Sequence, residues 1–192
     1  PTAILASSLG FIDGSVTSIA MPAMRASLAA SLVEAQWIGN AYLLALSALV
    51  LAGGAMGDRF GVARVFGAGI AVFVVASLVC AVAPTAGALI AARVVQGVGA
   101  ALMVPGSMAI IARAYPKAER GRALGIWAAA SAITTAAGPI LGGLLLTWGP
   151  DWAWRLIFAV NLPLGAFAIW ILATKVRADP ARPEIAIDMA DR

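Results

Sequence analysis

Two ionisable side chains lie inside long apolar stretches of this sequence and are its best candidates for chemistry. Asp13 stands near the middle of the first stretch, and Arg93 follows shortly after the start of the fourth. A charge at the centre of a bilayer costs about 2.5–3.5 kcal/mol on insertion scales, so such residues face a cavity or a partner. Burial favours the protonated carboxyl and a nearby cation favours the carboxylate, so Asp13 can exchange a proton as its surroundings change.

Arg93 keeps its charge and therefore needs a counter-charge or a watery cavity. At about 1.5 Å per helical residue, Asp13 and Arg93 differ in depth by only several Å, so they can meet if the first and fourth helices touch. We therefore propose the pair as a proton-coupling site. Two simpler interpretations use the same residues: a permanent contact that only fixes packing, and an arginine that snorkels to the outer interface.

The composition places these residues in lipid. Of 192 residues, 62% are hydrophobic and 11% are charged, whereas a soluble domain carries about 25% charged residues. The 13 Lys and Arg residues are too scattered for nucleic-acid binding, and the absence of histidine excludes Ser-His catalysis and His-ligated metal sites within this piece. We therefore expect no enzyme, no metal and no cofactor.

Six apolar stretches are long enough to cross a membrane as helices. Because the apolar runs are continuous rather than alternating, membrane-spanning strands are excluded. The domain of residues 1–174 is thus predicted to be all-α, and residues 175–192 are predicted to form an exposed cytoplasmic linker. The predicted spans are about 3–23, 36–57, 65–83, 87–112, 123–147 and 153–174.

The basic residues predict the orientation, since cytoplasmic loops are rich in Lys and Arg. They concentrate in the second and fourth connections and at the start of the tail, so both ends are predicted to be cytoplasmic. Aromatic residues agree with this orientation, because tryptophans mark membrane interfaces. The basic residues are Arg59, Arg64, Arg113, Lys117, Arg120, Arg122, Lys175 and Arg177, and the predicted outer-boundary aromatics are Trp37, Trp148, Trp152 and Trp154.

Two glycine-containing segments are candidates for conformational roles. The second connection contains Gly54, Asp58, Arg59, Gly61 and Arg64, where Gly61 can supply a positive φ and Asp58 can accept bonds from a helix N-terminus. An ordinary turn with solvated charges is the simpler interpretation. The fifth helix permits a bend and a close helix contact, which would serve either as a hinge or as passive packing. Its residues are Gly138, Pro139, Gly142 and Gly143.

Uncharged polar residues inside the predicted helices are candidates for a substrate path. Ser and Thr in helices often bond their own backbone, which is the simpler explanation for many of them. Asn161 is another uncharged polar residue inside a predicted helix. The four candidates retained for the path are Gln36, Asn40, Ser131 and Thr134.

These segments, taken together and in this order, resemble the major facilitator superfamily. The second connection resembles the superfamily's loop signature, although Val62 and Ala63 stand where basic residues are usual. The run from Arg93 through Gln96 and Gly97 is similar to its helix 4 signature, and Gly138-Pro139 with Gly142-Gly143 is similar to its antiporter signature. The stretches around Asp13, Gln36-Trp37 and Asn161-Leu162-Pro163 resemble the fourteen-spanner drug:proton antiporters.

The resemblance implies one half of a major facilitator fold, built from two inverted three-helix repeats. It implies a proton-coupled exporter of drug-like or amphipathic small molecules in the cell membrane. Its implied partners are a small-molecule substrate, protons, the lipid bilayer and the missing C-terminal half of the same transporter. The alternatives are a superfamily member that moves a metabolite by symport or uniport, and a membrane scaffold without transport activity.

Overall fold

The computed structural model describes residues 2–175, and the regular structure in that range is entirely helical. The predicted linker of residues 175–192 lies outside the described residues, apart from Lys175, which ends the last helix. Seven helical segments follow one another: α1 Thr2–Ser27, α2 Leu32–Phe60, α3 Val62–Val82, α4 Ala86–Ala114, α5 Lys117–Trp148, α6 Trp154–Ala159 and α7 Asn161–Lys175.

Five stretches of the described chain are long and apolar enough to cross a membrane. The remaining long helix, α1, has 26 residues and carries Asp13 within its apolar run. With α1, the structure has the six membrane-crossing units that the sequence predicts. The five apolar stretches are Leu32–Phe60, Val62–Val82, Ala86–Ala114, Lys117–Trp148 and Trp154–Thr174.

Most helices extend a few residues beyond the predicted spans, and polar side chains cap the starts of α2 and α4. Ser31 and Glu34 form a reciprocal capping box at the start of α2: the Glu34 backbone N–H donates to the Ser31 hydroxyl at 3.2 Å, and the Ser31 N–H donates to the Glu34 carboxylate at 2.9 Å. Thr85 caps α4 through a 3.2 Å bond from the Ala88 N–H. These caps satisfy helix N–H groups that would otherwise lack partners.

The sixth crossing differs from the predicted continuous helix. It is divided into α6 and α7, with Val160 between them. Pro163 explains the division, since proline has no N–H to donate to the carbonyl of Ala159, four residues earlier. The interruption places Asn161 at the start of α7.

The outward surface of the bundle is apolar, as expected for a protein whose solvent is lipid. Leu51 is 85% exposed and Ile133 is 70% exposed, and large apolar side chains are exposed along most of the helices. A water-soluble domain would gain nothing from such a surface. The prediction of an all-α membrane domain is therefore consistent with both the helices and their outer faces.

Glycines bring α4 close to α2 and α3. A Cβ atom built on Gly97 would lie 2.5 Å from the Tyr42 carbonyl oxygen, and one on Gly99 would lie 2.6 Å from the Phe73 nitrogen. Real side chains do not fit at such distances, so these backbones touch because the residues are glycine. α4 is thereby fixed at the centre of the bundle, with its polar side chains facing α1, α2 and α3.

Trp154 differs from the other predicted outer-boundary tryptophans because it is buried inside the bundle. Trp148 and Trp152 are exposed, whereas Trp154 is fully buried and packs edge-to-face against Phe158, with the ring centroids 6.3 Å apart. Its neighbour Arg155 donates hydrogen bonds of 2.9 and 2.8 Å to the carbonyls of Ala81 and Ala83 at the end of α3. The start of α6 is thus fastened to the bundle, and its tryptophan points into the core.

Candidate functional site

The structure pairs the two ionisable residues that the sequence places inside the helices. Asp13 of α1 is 0% exposed and Arg93 of α4 is 1% exposed, and the arginine Nη1 donates to the carboxylate Oδ2. The pair joins α1 to α4 in the interior of the bundle. Neither side chain snorkels to the surface.

Arg93 has further partners that hold its guanidinium in place. Its Nε donates to the Ile38 carbonyl of α2 at 3.1 Å, and its Nη1 also donates to Gln96 Oε1 at 2.6 Å. The guanidinium carbon lies 4.4 Å from the centroid of the Tyr42 ring and 5.8 Å from that of Phe158. Aromatic faces attract a cation, so these rings stabilise the buried charge.

The other carboxylate oxygen of Asp13 binds two side-chain amides. Gln96 Nε2 donates to Asp13 Oδ1 at 2.9 Å, and Asn161 Nδ2 lies 3.5 Å from the same oxygen. Both amide nitrogens also donate to the Ser77 hydroxyl, at 2.8 and 3.2 Å. The Ser77 hydroxyl donates in turn to the Phe73 carbonyl at 2.7 Å. Side chains from α1, α3, α4 and α7 thus form one polar cluster, which we call the Asp13 cluster: Asp13, Ser77, Arg93, Gln96 and Asn161.

The Asp13 cluster lies where an uncompensated charge would be most costly. Breaking a buried ion pair by removing one partner typically costs about 3–5 kcal/mol, because the other charge is left buried. A site this dependent on charge balance responds strongly to one proton. Its geometry therefore permits proton exchange, and it also permits a purely structural role.

A cavity of about 380 Å³ reaches Arg93 from between α1 and α2. Gln36 and Asn40 line it, as the predicted substrate path requires, and Tyr42 contributes part of the wall. Ser131 and Thr134 do not line this cavity. Both lie on α5, where their hydroxyls donate to the carbonyls of Trp127 and Ala130 of their own helix at 2.8 and 2.6 Å.

The glycines of α5 differ in what they face. A Cβ atom on Gly142 would lie 2.7 Å from a methyl carbon of Val16, and one on Gly138 would lie 2.9 Å from another Val16 methyl and still closer to the Ser15 hydroxyl. A Cβ atom on Gly143 would meet nothing within 4 Å. Pro139 lies inside α5 between the two close glycines. The run therefore provides a tight contact with α1, the helix that carries Asp13.

The connection between α2 and α3 is a single residue, Gly61, with φ 95°. This positive φ suits glycine and closes the turn, and the Gly61 N–H donates to the Gly57 carbonyl at 3.1 Å. Asp58, Arg59 and Arg64 are exposed around it. Gly54 and Asp58 border a cavity of about 140 Å³ whose far wall includes Pro105 and Gly106 of α4.

Three residues of the site were missed at the sequence level or given too little weight. Ser77 carries no charge and sits in an apolar run, so its spacing gives no signal. Asn161 was named only among the uncharged polar residues of the helices and in a family-like stretch, and Tyr42 was not singled out. The available signal was chemical: an asparagine side chain has two donors and an acceptor that need partners in lipid.

No metal-binding group was found in the part of the chain that the structure describes. Clusters of three or more His, Cys, Asp or Glu residues that could hold an ion do not occur there. The single cysteine, Cys80, is buried, and its sulfur lies 3.8 Å from Gln96 Oε1. It belongs to the wall of the Asp13 cluster.

A family model described as the Major Facilitator Superfamily matches residues 3–190. The chain therefore belongs to this superfamily of transporters. The six membrane-crossing units described above form one half of its fold, as the sequence predicts. Members of the family are transporters rather than enzymes.

Curated relatives include two proteins named for antibiotic resistance. The methylenomycin A resistance protein of Bacillus subtilis is 40% identical over 166 residues, which are 84% of this chain and 35% of that protein. The tetracenomycin C resistance and export protein of Streptomyces glaucescens is 37% identical over 173 residues, which are 88% of this chain and 32% of that protein. The chain thus spans about a third of the length of these relatives.

A solved structure of the proton:xylose symporter XylE superposes with a TM-score of 0.79. The superposition covers 90% of this chain and 43% of the symporter, at 18% sequence identity. At this identity the likeness shows the fold alone. It places this chain on one half of a two-halved molecule.

Proposed function

We propose that this chain is the first half of a proton-coupled exporter of drug-like or amphipathic small molecules that works by alternating access. The observation that carries the proposal is the buried Asp13–Arg93 pair, which adjoins a cavity lined by Gln36 and Asn40. A proton site beside a cavity is what coupled transport requires, since the two occupants must influence one another.

Asp13 is the proton-exchanging group in this proposal, and Arg93 sets its proton affinity. In one conformation the carboxylate is paired with Arg93, which favours the ionised form. If a second conformation separates or hydrates the pair differently, the carboxyl takes up a proton on one side of the membrane and releases it on the other. A ligand or proton moves the equilibrium only by its different affinity for the two conformations.

The tight contact between α1 and α5 supports coupling between the proton site and a conformational change. Gly138 and Gly142 lie against Val16, one helical turn from Asp13. Motion of α5 relative to α1 would therefore act on the helix that carries the carboxyl. The names of the resistance and export relatives support export of antibiotic-like compounds, and the symporter's fold supports no particular substrate.

The test is transport by the full-length protein reconstituted in liposomes with an imposed pH gradient. The panel includes amphipathic dyes, antibiotics and metabolites, each assayed with and without a protonophore. Accumulation of dyes or antibiotics against their gradient, abolished by the protonophore, is the expected result. Gradient-independent counterflow of a metabolite alone would instead favour a metabolite facilitator, and the absence of any transport would favour a scaffold.

We also propose that both ends of the chain are cytoplasmic, with residues 1–174 as the membrane domain and the following residues as a linker. Single cysteines at the exposed positions Pro84 and Asp151 should react with an impermeant maleimide in intact cells, whereas one at Ala118 should react only after permeabilisation. The native Cys80 is buried, so its background should be low. Labelling of position 118 in intact cells would overturn this orientation.

A further inference from the structure

We infer that Asn161 is a positioning residue whose hydrogen bonding to Asp13 reverses when Asp13 gains a proton. The inference rests on the proposed role of Asp13 as the proton-exchanging group. Asn161 is fully buried, opens α7 directly after the helix interruption, and reaches the carboxylate with its amide nitrogen. The inference concerns the role of its amide oxygen, Oδ1.

The groups that face Asp13 in this structure are hydrogen-bond donors. Arg93 Nη1 donates to Oδ2, and the amide nitrogens of Gln96 and Asn161 approach Oδ1 at 2.9 and 3.5 Å. This arrangement suits an ionised carboxylate, which only accepts hydrogen bonds. A protonated carboxyl also carries an O–H donor, which needs an acceptor when buried.

Among the uncharged side chains of the Asp13 cluster, one acceptor is unused. Gln96 Oε1 accepts from Arg93 Nη1 at 2.6 Å. The Ser77 hydroxyl accepts from both amide nitrogens and donates to the Phe73 carbonyl, so its hydrogen-bonding capacity is filled. Asn161 Oδ1 is buried and has no hydrogen-bond partner among the described residues. A buried polar atom without a partner calls for an explanation, and proton exchange supplies one.

Rotation of the Asn161 amide would exchange its two terminal atoms. The terminal torsion of asparagine is broad and roughly two-fold, so a half-turn is available without leaving the rotamer well of the preceding torsion. After the half-turn, Oδ1 faces Asp13 and accepts from the protonated carboxyl, and the Ser77 hydroxyl can turn to donate to the same oxygen. The amide nitrogen then takes the place of the unpaired oxygen, which limits the gain from the rotation.

Other titratable groups near Asp13 do not explain the same behaviour. Among the described residues these are Arg93 of α4, Tyr42 of α2 and Cys80 of α3. Arginine stays charged, and phenols and thiols ordinarily keep their protons where carboxyls titrate. Arg155 of α6 is bound to the Ala81 and Ala83 carbonyls instead. Asn161 is thus the amide in the Asp13 cluster whose oxygen is free, among the described residues, to accept from the protonated form of Asp13.

The Asn161→Leu variant separates this proposal from a simpler role by the direction of its effect. If Asn161 only donates to the carboxylate, its removal favours the protonated acid and raises the pH midpoint of Asp13 protonation. If Asn161 also accepts from the acid, the lost acceptor outweighs the long 3.5 Å donor contact, and the midpoint falls. We expect a fall of about 0.5–1 pH unit, the size of one net hydrogen bond.

The experiment is an infrared pH titration of the full-length protein in liposomes. The C=O band of a protonated buried carboxyl is followed, and it is assigned to Asp13 by its loss in Asp13→Asn. Asn161→Ser should return the midpoint to that of the parent, because a hydroxyl both donates and accepts. Should the leucine variant fail to insert, Asn161→Ala provides the same comparison. Ser107→Ala is the control, since the one bond of the buried Ser107 hydroxyl among the described residues is to the Val104 carbonyl of its own helix, at 2.8 Å.

A lower midpoint in Asn161→Leu with an unchanged one in Ser107→Ala supports the inference. An unchanged or higher midpoint in Asn161→Leu overturns it and leaves the proposed role of Asp13 intact. The absence of any titrating Asp13 band in the parent protein overturns the proposed proton exchange itself. The two failures are therefore distinguishable in one data set.

Discussion

Aspartate and arginine occur together at two places in this molecule, with opposite surroundings. In the Asp13 cluster both charges are buried, and the ion pair is surrounded by amides, a hydroxyl and aromatic rings. At the turn between α2 and α3, Asp58, Arg59 and Arg64 are exposed, and Arg59 lies over the ring of the neighbouring Phe60 at 5.2 Å. The residue types are the same, and only the environment differs.

The comparison distinguishes the buried charges, on which the fold depends, from the exposed charges, which remain accessible to solvent and to other groups. In the interior, loss of one partner leaves the other unpaired in a medium of low polarity, so the effect is large. At the exposed turn, water replaces a lost partner and the effect on stability is about 0–1 kcal/mol. Substitutions at the Asp13 cluster should therefore change mechanism, and those at the turn should change rates modestly.

Asp13→Asn should have the largest effect. We expect uphill transport to be abolished while substrate binding persists, because asparagine resembles the protonated acid and cannot release a proton. Reconstituted protein with an imposed pH gradient measures the first effect, and equilibrium dye binding measures the second. Asp58→Asn is the matched exposed control and should still concentrate substrate. An Asp13→Asn protein that concentrates substrate would make Asp13 a structural residue.

Gly138→Val should abolish or nearly abolish transport with membrane insertion retained. The added side chain would press on Ser15 and Val16, and overpacking of this kind costs about 1–3 kcal/mol. Gly143→Val provides a matched control on the same helix, since that position faces open space. Transport and expression are measured for both. Equal activity of the two variants would show that the contact between α1 and α5 does not limit transport.

Arg93→Ala should shift the pH dependence of transport upward, because it removes the cation paired with Asp13. The sign follows because loss of the cation favours the protonated form, so a higher pH is needed to ionise Asp13. Initial rates across a pH series measure the shift. Arg155→Ala is the control, because Arg155 binds α3 carbonyls and does not contact Asp13. A profile that stays in place would separate Arg93 from the coupling step.

The large features of the fold were predictable because lipid restricts the choices. Continuous apolar runs must be helices, and charges inside them must find partners, so Asp13 and Arg93 could be paired from depth alone. The interruption of the sixth crossing followed from Pro163 but was not predicted, since proline is tolerated in many membrane helices. Trp154 was grouped with the outer-boundary aromatics, and its burial against Phe158 was not predicted, because that burial depends on how α6 packs on the bundle.

The remainder of the Asp13 cluster depends on contacts that no local pattern specifies. Ser77 and Asn161 come together only after α3 packs against α4 and α7 packs against α3. Glycines such as Gly69 and Gly99 permit the close contact between α3 and α4. The four residues predicted for the substrate path do not all line the same cavity, for a similar reason. Gln36 and Asn40 face the cavity near Arg93, while the hydroxyls of Ser131 and Thr134 bond their own helix, and helix rotation decides between these outcomes.

Asp58→Asn should have the smallest effect and would sharpen the comparison most. Asp58 is exposed at the end of α2 and borders the cavity shared with Pro105 and Gly106 of α4. We propose that its carboxylate steadies one conformation at the cytoplasmic face, where it can meet the N-terminus of a helix from the rest of the protein. A contact of this kind is worth up to about 1 kcal/mol.

The expected result is therefore a roughly two- to five-fold fall in transport rate, with unchanged thermal stability and unchanged pH dependence. Val62 and Ala63, which stand where the superfamily usually has basic residues, keep the effect small because the turn has fewer charges to lose. Rates are measured in liposomes beside Asp58→Glu, which keeps the charge and should recover much of the loss. A complete loss of transport, as expected for Asp13→Asn, would show that the exposed and the buried carboxylate are equally indispensable. The distinction between them by burial would then be wrong. An unchanged transport rate in well-inserted protein would mean that the turn, closed by Gly61, serves only to connect α2 and α3.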